Sequence, residues 1–172
     1  MTRFISTALV SLALLGSVAA APASAAKTPI VGTVTVDGLG SFSALSFSFG
    51  VQSTVTGTAS STGPVGSSPQ FTGLSFTKAL DQNSPLLLMA AASGKRYASV
   101  RLDITGQGRS GVSASITLTN VVVTSIAALA ASDDDGVPRE DVTVTFQKIQ
   151  MQTTGPNGTT NSAWDISKNS PV

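Results

Sequence analysis

The chain has 172 residues, 41% hydrophobic and only 11% charged, with ten Lys plus Arg against nine Asp plus Glu. It contains no cysteine and no histidine, which excludes disulfide staples, Ser-His-Asp and Cys-His nucleophiles, and His- or Cys-based zinc, copper and haem ligation. The near balance of charge leaves no electrostatic footprint for nucleic acid or anionic lipid.

The first stretch reads as a leader. Met1-Thr2-Arg3 is a short positive region, residues 4–18 are apolar apart from a few Ser, Thr and Gly, and Ala23-Ser24-Ala25 is a small-x-small cleavage signature. The apolar run is shorter than the ~20 residues a spanning helix needs. A secretory signal peptide over 1–25, cut between Ala25 and Ala26, is therefore expected, and with it an exported, extracellular protein without a membrane anchor. Removing the first 25 of 172 residues leaves 147, enough for one domain, 26–172, with a real core. Arg3 leaves with the leader, so the remainder is formally neutral, nine cations against nine anions.

Alternation with period two then dominates. Residues 33–36 begin a strand that Asp37-Gly38 turns. Leu45, Phe47, Phe49 and Val51 share one face of the next strand, and Ala44, Ser46, Ser48 and Gly50 the other. Residues 52–70, rich in Ser, Thr and Gly with Pro64 and Pro69, read as an extended loop. Leu74-Ser75-Phe76-Thr77 is a short strand. Ser84 is expected at the N-cap of a helix with Pro85 in its first position, and Gly94 supplies the left-handed stop. This helix is apolar nearly all round, which predicts burial or an interface.

Ala98, Val100, Leu102 and Ile104 alternate with polar residues, and 107–111 turn the chain. Ile116 and Leu118 are then followed, past Asn120, by Val121 and Val123 on the opposite parity. Val142, Val144 and Phe146 are likewise followed, past Gln147-Lys148, by Ile149 and Met151. A phase shift marks a bulge or a strand with two buried faces. The second option makes Val121, Val123, Ile149 and Met151 an expected partner surface. The tail, 155–172, is polar, and its single Trp164 is expected to anchor it to the core, worth ~2–3 kcal/mol of burial. The pattern is all-β with one short helix, as a closed antiparallel β-barrel.

Chemical readings of the remaining motifs fail on spacing. Asp133-Asp134-Asp135-Gly136 with Glu140 lacks the alternating ligands of a calcium loop. Ser93-Gly94-Lys95 lacks the phosphate-loop glycine, since Met89 stands five residues before Gly94. Asn157-Gly158-Thr159 is a formal glycosylation sequon, meaningful only in a eukaryotic secretory path. No catalytic, metal-binding or cofactor-binding residue is assigned, and no enzyme activity is expected.

Four motifs in order resemble the Hcp family, the tube protein of type VI secretion and a relative of phage tail-tube proteins. They are Val36-Asp37-Gly38-Leu39; then Leu74 through Lys78, Asp81, Ser84-Pro85, Ala90 to Ala92, Ser93-Gly94-Lys95 and Tyr97; then Val142 to Phe146; and finally Gly158, Trp164-Asp165-Ile166 and Lys168-Asn169. The resemblance implies an antiparallel barrel with one flanking helix, six copies joined as a ring, rings stacked into a tube, contacts outside the subunit through the 52–70 loop, and effector proteins as cargo. A leader departs from the family pattern, whose members are expelled from the cytoplasm by contraction. A monomeric secreted binding module that keeps the fold without assembly is the alternative.

Overall fold

A computed structural model describes residues 30–56, 65–66, 68–105, 111–129 and 136–172. The leader, its Ala25/Ala26 junction, the Asp133-Asp134-Asp135 run and the centre of the 52–70 loop lie outside these residues. Fourteen strands and one helix are described. In chain order they are β1 (Gly32–Val36), β2 (Gly40–Ala44), β3 (Ser46–Ser48), β4 (Val51–Gln52), β5 (Val55–Thr56), β6 (Val65–Gly66), β7 (Gln70–Phe71), β8 (Leu74–Ala79), α1 (Ser84–Ser93), β9 (Arg96–Thr105), β10 (Ser113–Leu129), β11 (Arg139–Thr145), β12 (Lys148–Gly155), β13 (Gly158–Asp165) and β14 (Ser170–Pro171).

The spine is a long antiparallel hairpin. β10 pairs with β12 from Ser113↔Thr154 to Thr119↔Lys148, and with β11 from Val122↔Thr145 to Leu129↔Arg139. On its other edge β10 carries β9, from Ser113↔Thr105 to Val122↔Arg96. β1 extends this side and pairs with β2, while β11 carries β8, which carries β3. β13 and β14 extend the β12 end. All these pairings are antiparallel, and the protein is mostly β with one helix.

The ladders do not draw the closed barrel that the sequence pattern predicts. Among the described residues no sheet closes on itself, because β2 pairs only with β1 and β3 pairs with β8. The physical reason is a bend at Leu45. It splits one run of chain into two short strands, each with a different neighbour, and Leu45 N–H donates to Thr77 O at 2.8 Å. The bend also shifts the phase. Phe42 and Ala44 are buried, whereas Leu45, Phe47 and Phe49 are half-buried.

The core is one apolar cluster that gathers Val34, Val36, Phe42, Leu74, Phe76, Leu102, Ile116, Leu118, Val142 and Val144 with Leu87 and Ala90 of α1. The 52–70 segment is not simply a loop. Val51↔Phe71 with Gln52↔Gln70, and Val55↔Gly66 with Thr56↔Val65, pair it into two short antiparallel ribbons. No helix of the described residues is long and apolar enough to cross a membrane.

Candidate assembly surfaces

The phase shifts have a different meaning from the one expected. Asn120 takes φ 58°, a left-handed conformation that asparagine tolerates better than most residues. Its Nδ2 donates to Gln147 Oε1 at 2.6 Å, and Gln147 N–H donates to Thr119 O at 3.0 Å. β10 runs on through this crossing, its pairing with β9 in register from Thr119↔Ser99 to Val121↔Tyr97, and the left-handed residue flips the parity so that both parities end up facing the same interior. Val121 and Val123 are 0% and 2% exposed and sit in the core beside Ile116 and Leu118. They cannot form a partner face, and that expectation is corrected. The left-handed residue re-aims the strand without giving it a second outer surface; the register shift of β10 against β11 comes later, between Val123 and Ser125. Ile149 is also buried in the core, and of the expected four only Met151 is exposed, at 38%.

Ile149 and Met151 nonetheless border an open apolar groove. It has a volume of about 460 Å³ and runs between the β4–β7 ribbon, through Phe49, Val51, Pro69 and Phe71, and the β12–β13 hairpin, through Ile149, Met151 and Trp164. The hairpin register explains this wall. Ile149 stands opposite Trp164 and Met151 opposite Ser162, and residues two apart on a strand share a face. Phe71 packs edge-on against Phe146 at 6.4 Å. No charged residue lines the groove. Trp164 packs on the core as a partly buried residue, and its indole Nε1–H is buried without an acceptor.

Trp164 shares the tail's attachment with Asp165, a role that the sequence reading did not assign. Asp165 is 1% exposed. Its carboxylate accepts the Ser167 hydroxyl at 2.6 Å and the Ser167 and Lys168 amides at 3.0 and 3.3 Å, and pairs with Lys148 Nζ at 3.4 Å. The Ser167 hydroxyl, followed by the Lys168 amide and Lys148, holds this carboxyl below the usual carboxylate range against the opposing effect of desolvation. Gln147 joins in, donating from Nε2 to Ser167 Oγ at 2.8 Å.

A second apolar surface lies on α1. Leu87 and Ala90 face the core, while Leu86, Leu88 and Met89 are 53–64% exposed. The helix carries no charged side chain. A shallow depression of about 340 Å³ continues this surface along Leu80, Pro85, Leu88, Ile126 and Ala128, with Asp81, Ser84 and Glu140 also in its lining.

Beneath this surface lies a buried polar cluster. Lys78 Nζ pairs with Glu140 Oε1 at 2.7 Å and with Asp81 Oδ1 at 3.1 Å, and Lys78 and Glu140 are each 1% exposed. Ser84 Oγ donates to Glu140 Oε1 at 2.8 Å and accepts the Asp81 amide at 3.0 Å. Ser84 is therefore not the N-cap. That position is Asn83, which makes no side-chain cap bond, and Pro85 sits in the first turn as expected. The Ser84 hydroxyl is drawn inward because a buried carboxylate needs donors more than an exposed helix end does. Gly94, at φ 63°, closes the helix and donates its N–H to Ala90 O. The cluster was legible in the alternation: Lys78 follows Leu74 and Phe76 on the inward parity, and Glu140 precedes Val142 and Val144 on theirs. It ties α1 to β8 and β11. Among the described residues no three metal-ligating side chains gather.

The architecture has solved counterparts. Hcp1 from Salmonella typhimurium matches with a TM-score of 0.67 at 19% identity, over 82% of this chain and 97% of that one. A structure described as a type six secretion system protein matches at 0.70 and 18%, over 82% and 98%. The fold class is thus that of the Hcp-type β proteins. The family model described as "Type VI secretion system effector, Hcp" matches residues 25–153, three quarters of the chain, and the chain belongs to the Hcp family. Protein hcp1 of Pseudomonas aeruginosa is 36% identical over 80 residues, 45% of this chain and 49% of that protein. The match to this curated relative thus spans about half its length.

Proposed function

We propose that the chain is an exported, non-enzymatic Hcp-type structural protein that assembles with copies of itself into six-membered rings. The single observation that carries this reading is the pair of uncharged apolar surfaces, the groove and the outer face of α1, left open by the described residues of a chain of this family. Exposed apolar patches of this kind mark interaction sites. Export by the leader is supported by the family match beginning at residue 25, where the leader pattern ends. Closure of the barrel belongs to this reading as well: the bend at Leu45 breaks the ladder, but β2 and β3 are consecutive in the chain, so the β1 side and the β8 side are joined covalently where no ladder joins them. In this reading the rings stack or hold effector proteins, with the 52–70 ribbons making axial contacts. A cysteine-free exported chain gains stability through assembly instead of disulfides.

Light scattering on the exported protein tests this reading. A mass six times that of one chain is expected. A monomer at every concentration favours the second reading, a secreted binding module whose groove takes an apolar ligand; the aromatic lining of that groove is the observation in its favour.

A further inference from the structure

We infer that the contact between copies is head-to-tail, with the Leu86–Met89 ridge of α1 on one copy seated in the Trp164 groove of the next. The inference rests on the self-assembly reading above and names the surfaces that would perform it.

The first observation is chemical. A helix on the surface of a monomer carries charge on its outer side, but Ser84–Ser93 carries none, and Leu86 and Met89, one turn apart, are 53% and 64% exposed. The groove wall of Val51, Phe71, Ile149, Met151 and Trp164 is equally uncharged. Each surface is thus matched to the other and poorly matched to water or to an ionic partner.

The second is shape. The helix is a convex ridge, and the groove is a concavity of about 460 Å³. Two ridges or two grooves brought together around a two-fold axis would leave gaps, whereas a ridge set into a groove fills space, as close packing requires.

The third is position. Ile116 stands opposite Met151 at the groove end of β10, and Ile126 borders the helix surface at the other end. Ten residues of strand separate them, a contour of roughly 33 Å at the usual rise per residue, with the left-handed Asn120 between them. No residue of α1 lines the groove of its own chain. Unlike surfaces at opposite ends of a subunit make a heterologous contact, and such contacts close into rings when the rotation permits.

Because the chain has no cysteine, a pair of introduced thiols reports this contact without background. Met89→Cys and Met151→Cys both lie at exposed positions, and thermal melting of each variant verifies that it folds as the parent does. The two variants are prepared separately, mixed in equal amounts, and oxidised. A covalent dimer is expected from the mixture, at least tenfold more than from either variant alone, and the double variant is expected to give a ladder of covalent multimers. If light scattering finds assemblies but the mixture gives no dimer, or if Met89→Cys links to itself, the helix-in-groove contact is overturned while self-assembly stands. If only monomers are present before oxidation, the self-assembly reading falls and this contact falls with it.

Discussion

The two ends of the β10 hairpin solve the same problem in opposite ways. At the helix end, two charges are taken into the core and satisfied there, with Lys78 held by Glu140 and Asp81, and Glu140 held by Ser84. At the groove end, Phe71, Met151 and Trp164 form an apolar wall that none of the other described residues covers. The polar cluster completes itself, whereas the apolar wall, like the Leu86–Met89 ridge above the cluster, is left to a partner. Substitutions in the cluster should therefore act on folding, and substitutions in the wall or on the ridge on association.

The sharpest break of this contrast is Val123→Asp. An interface residue would tolerate the charge and only dissociate the assembly. Because Val123 is 2% exposed inside the core, the variant should fail to fold, with loss of near-UV circular dichroism and of soluble yield. Lys78→Met comes next. It strands the Glu140 carboxylate and should cost about 3–5 kcal/mol, read as a lower midpoint in urea unfolding. The double variant Lys78→Met with Glu140→Leu should recover most of that loss, because replacing a buried pair by apolar residues is often neutral. If the double variant is as unstable as the single, the cluster does more than satisfy itself.

Trp164→Ala should be milder. The ring is partly buried, and its removal should cost roughly 2 kcal/mol, with faster amide exchange in β13 and β14. Met151→Asp should change stability by no more than about 0.5 kcal/mol, as surface substitutions usually do.

The smallest effect concerns pH. The folded Asp165 carboxyl titrates below its unfolded value, so its contribution is present above the unfolded value, near ~4, and is lost as pH falls through the folded one. Acidification below that range should loosen the tail. Asp165→Asn should remove that acid-side change, and an unaltered pH profile in the variant would show that Asp165 does not anchor the tail.

The same contrast shows what the sequence could and could not reveal. Strand alternation, the Gly94 stop and the apolar helix were all legible, because period and punctuation are local properties. The inward phase of Lys78 and Glu140 was legible too, since both sit in step with core valines, leucine and phenylalanine. The fate of Val121 and Val123 was not. A phase shift is the same in sequence whether one left-handed residue flips the parity at Asn120 or the strand keeps its parity and buries two faces, and only the φ of 58° with the Gln147 contact decides it. The groove was half legible: Met151 and Trp164 were singled out separately, but their juxtaposition depends on the Ile149↔Trp164 register. The inward turn of Ser84 depends on Glu140, 56 residues away, and no local capping rule contains that partner.

Light scattering of the exported protein, parent against Met151→Asp, decides whether copies meet at the groove end. A multimer is expected for the parent and a monomer of unchanged melting temperature for the variant, with little effect of added salt because the contact is apolar. A parent that is monomeric at every concentration, or a variant that assembles as the parent does, would contradict it.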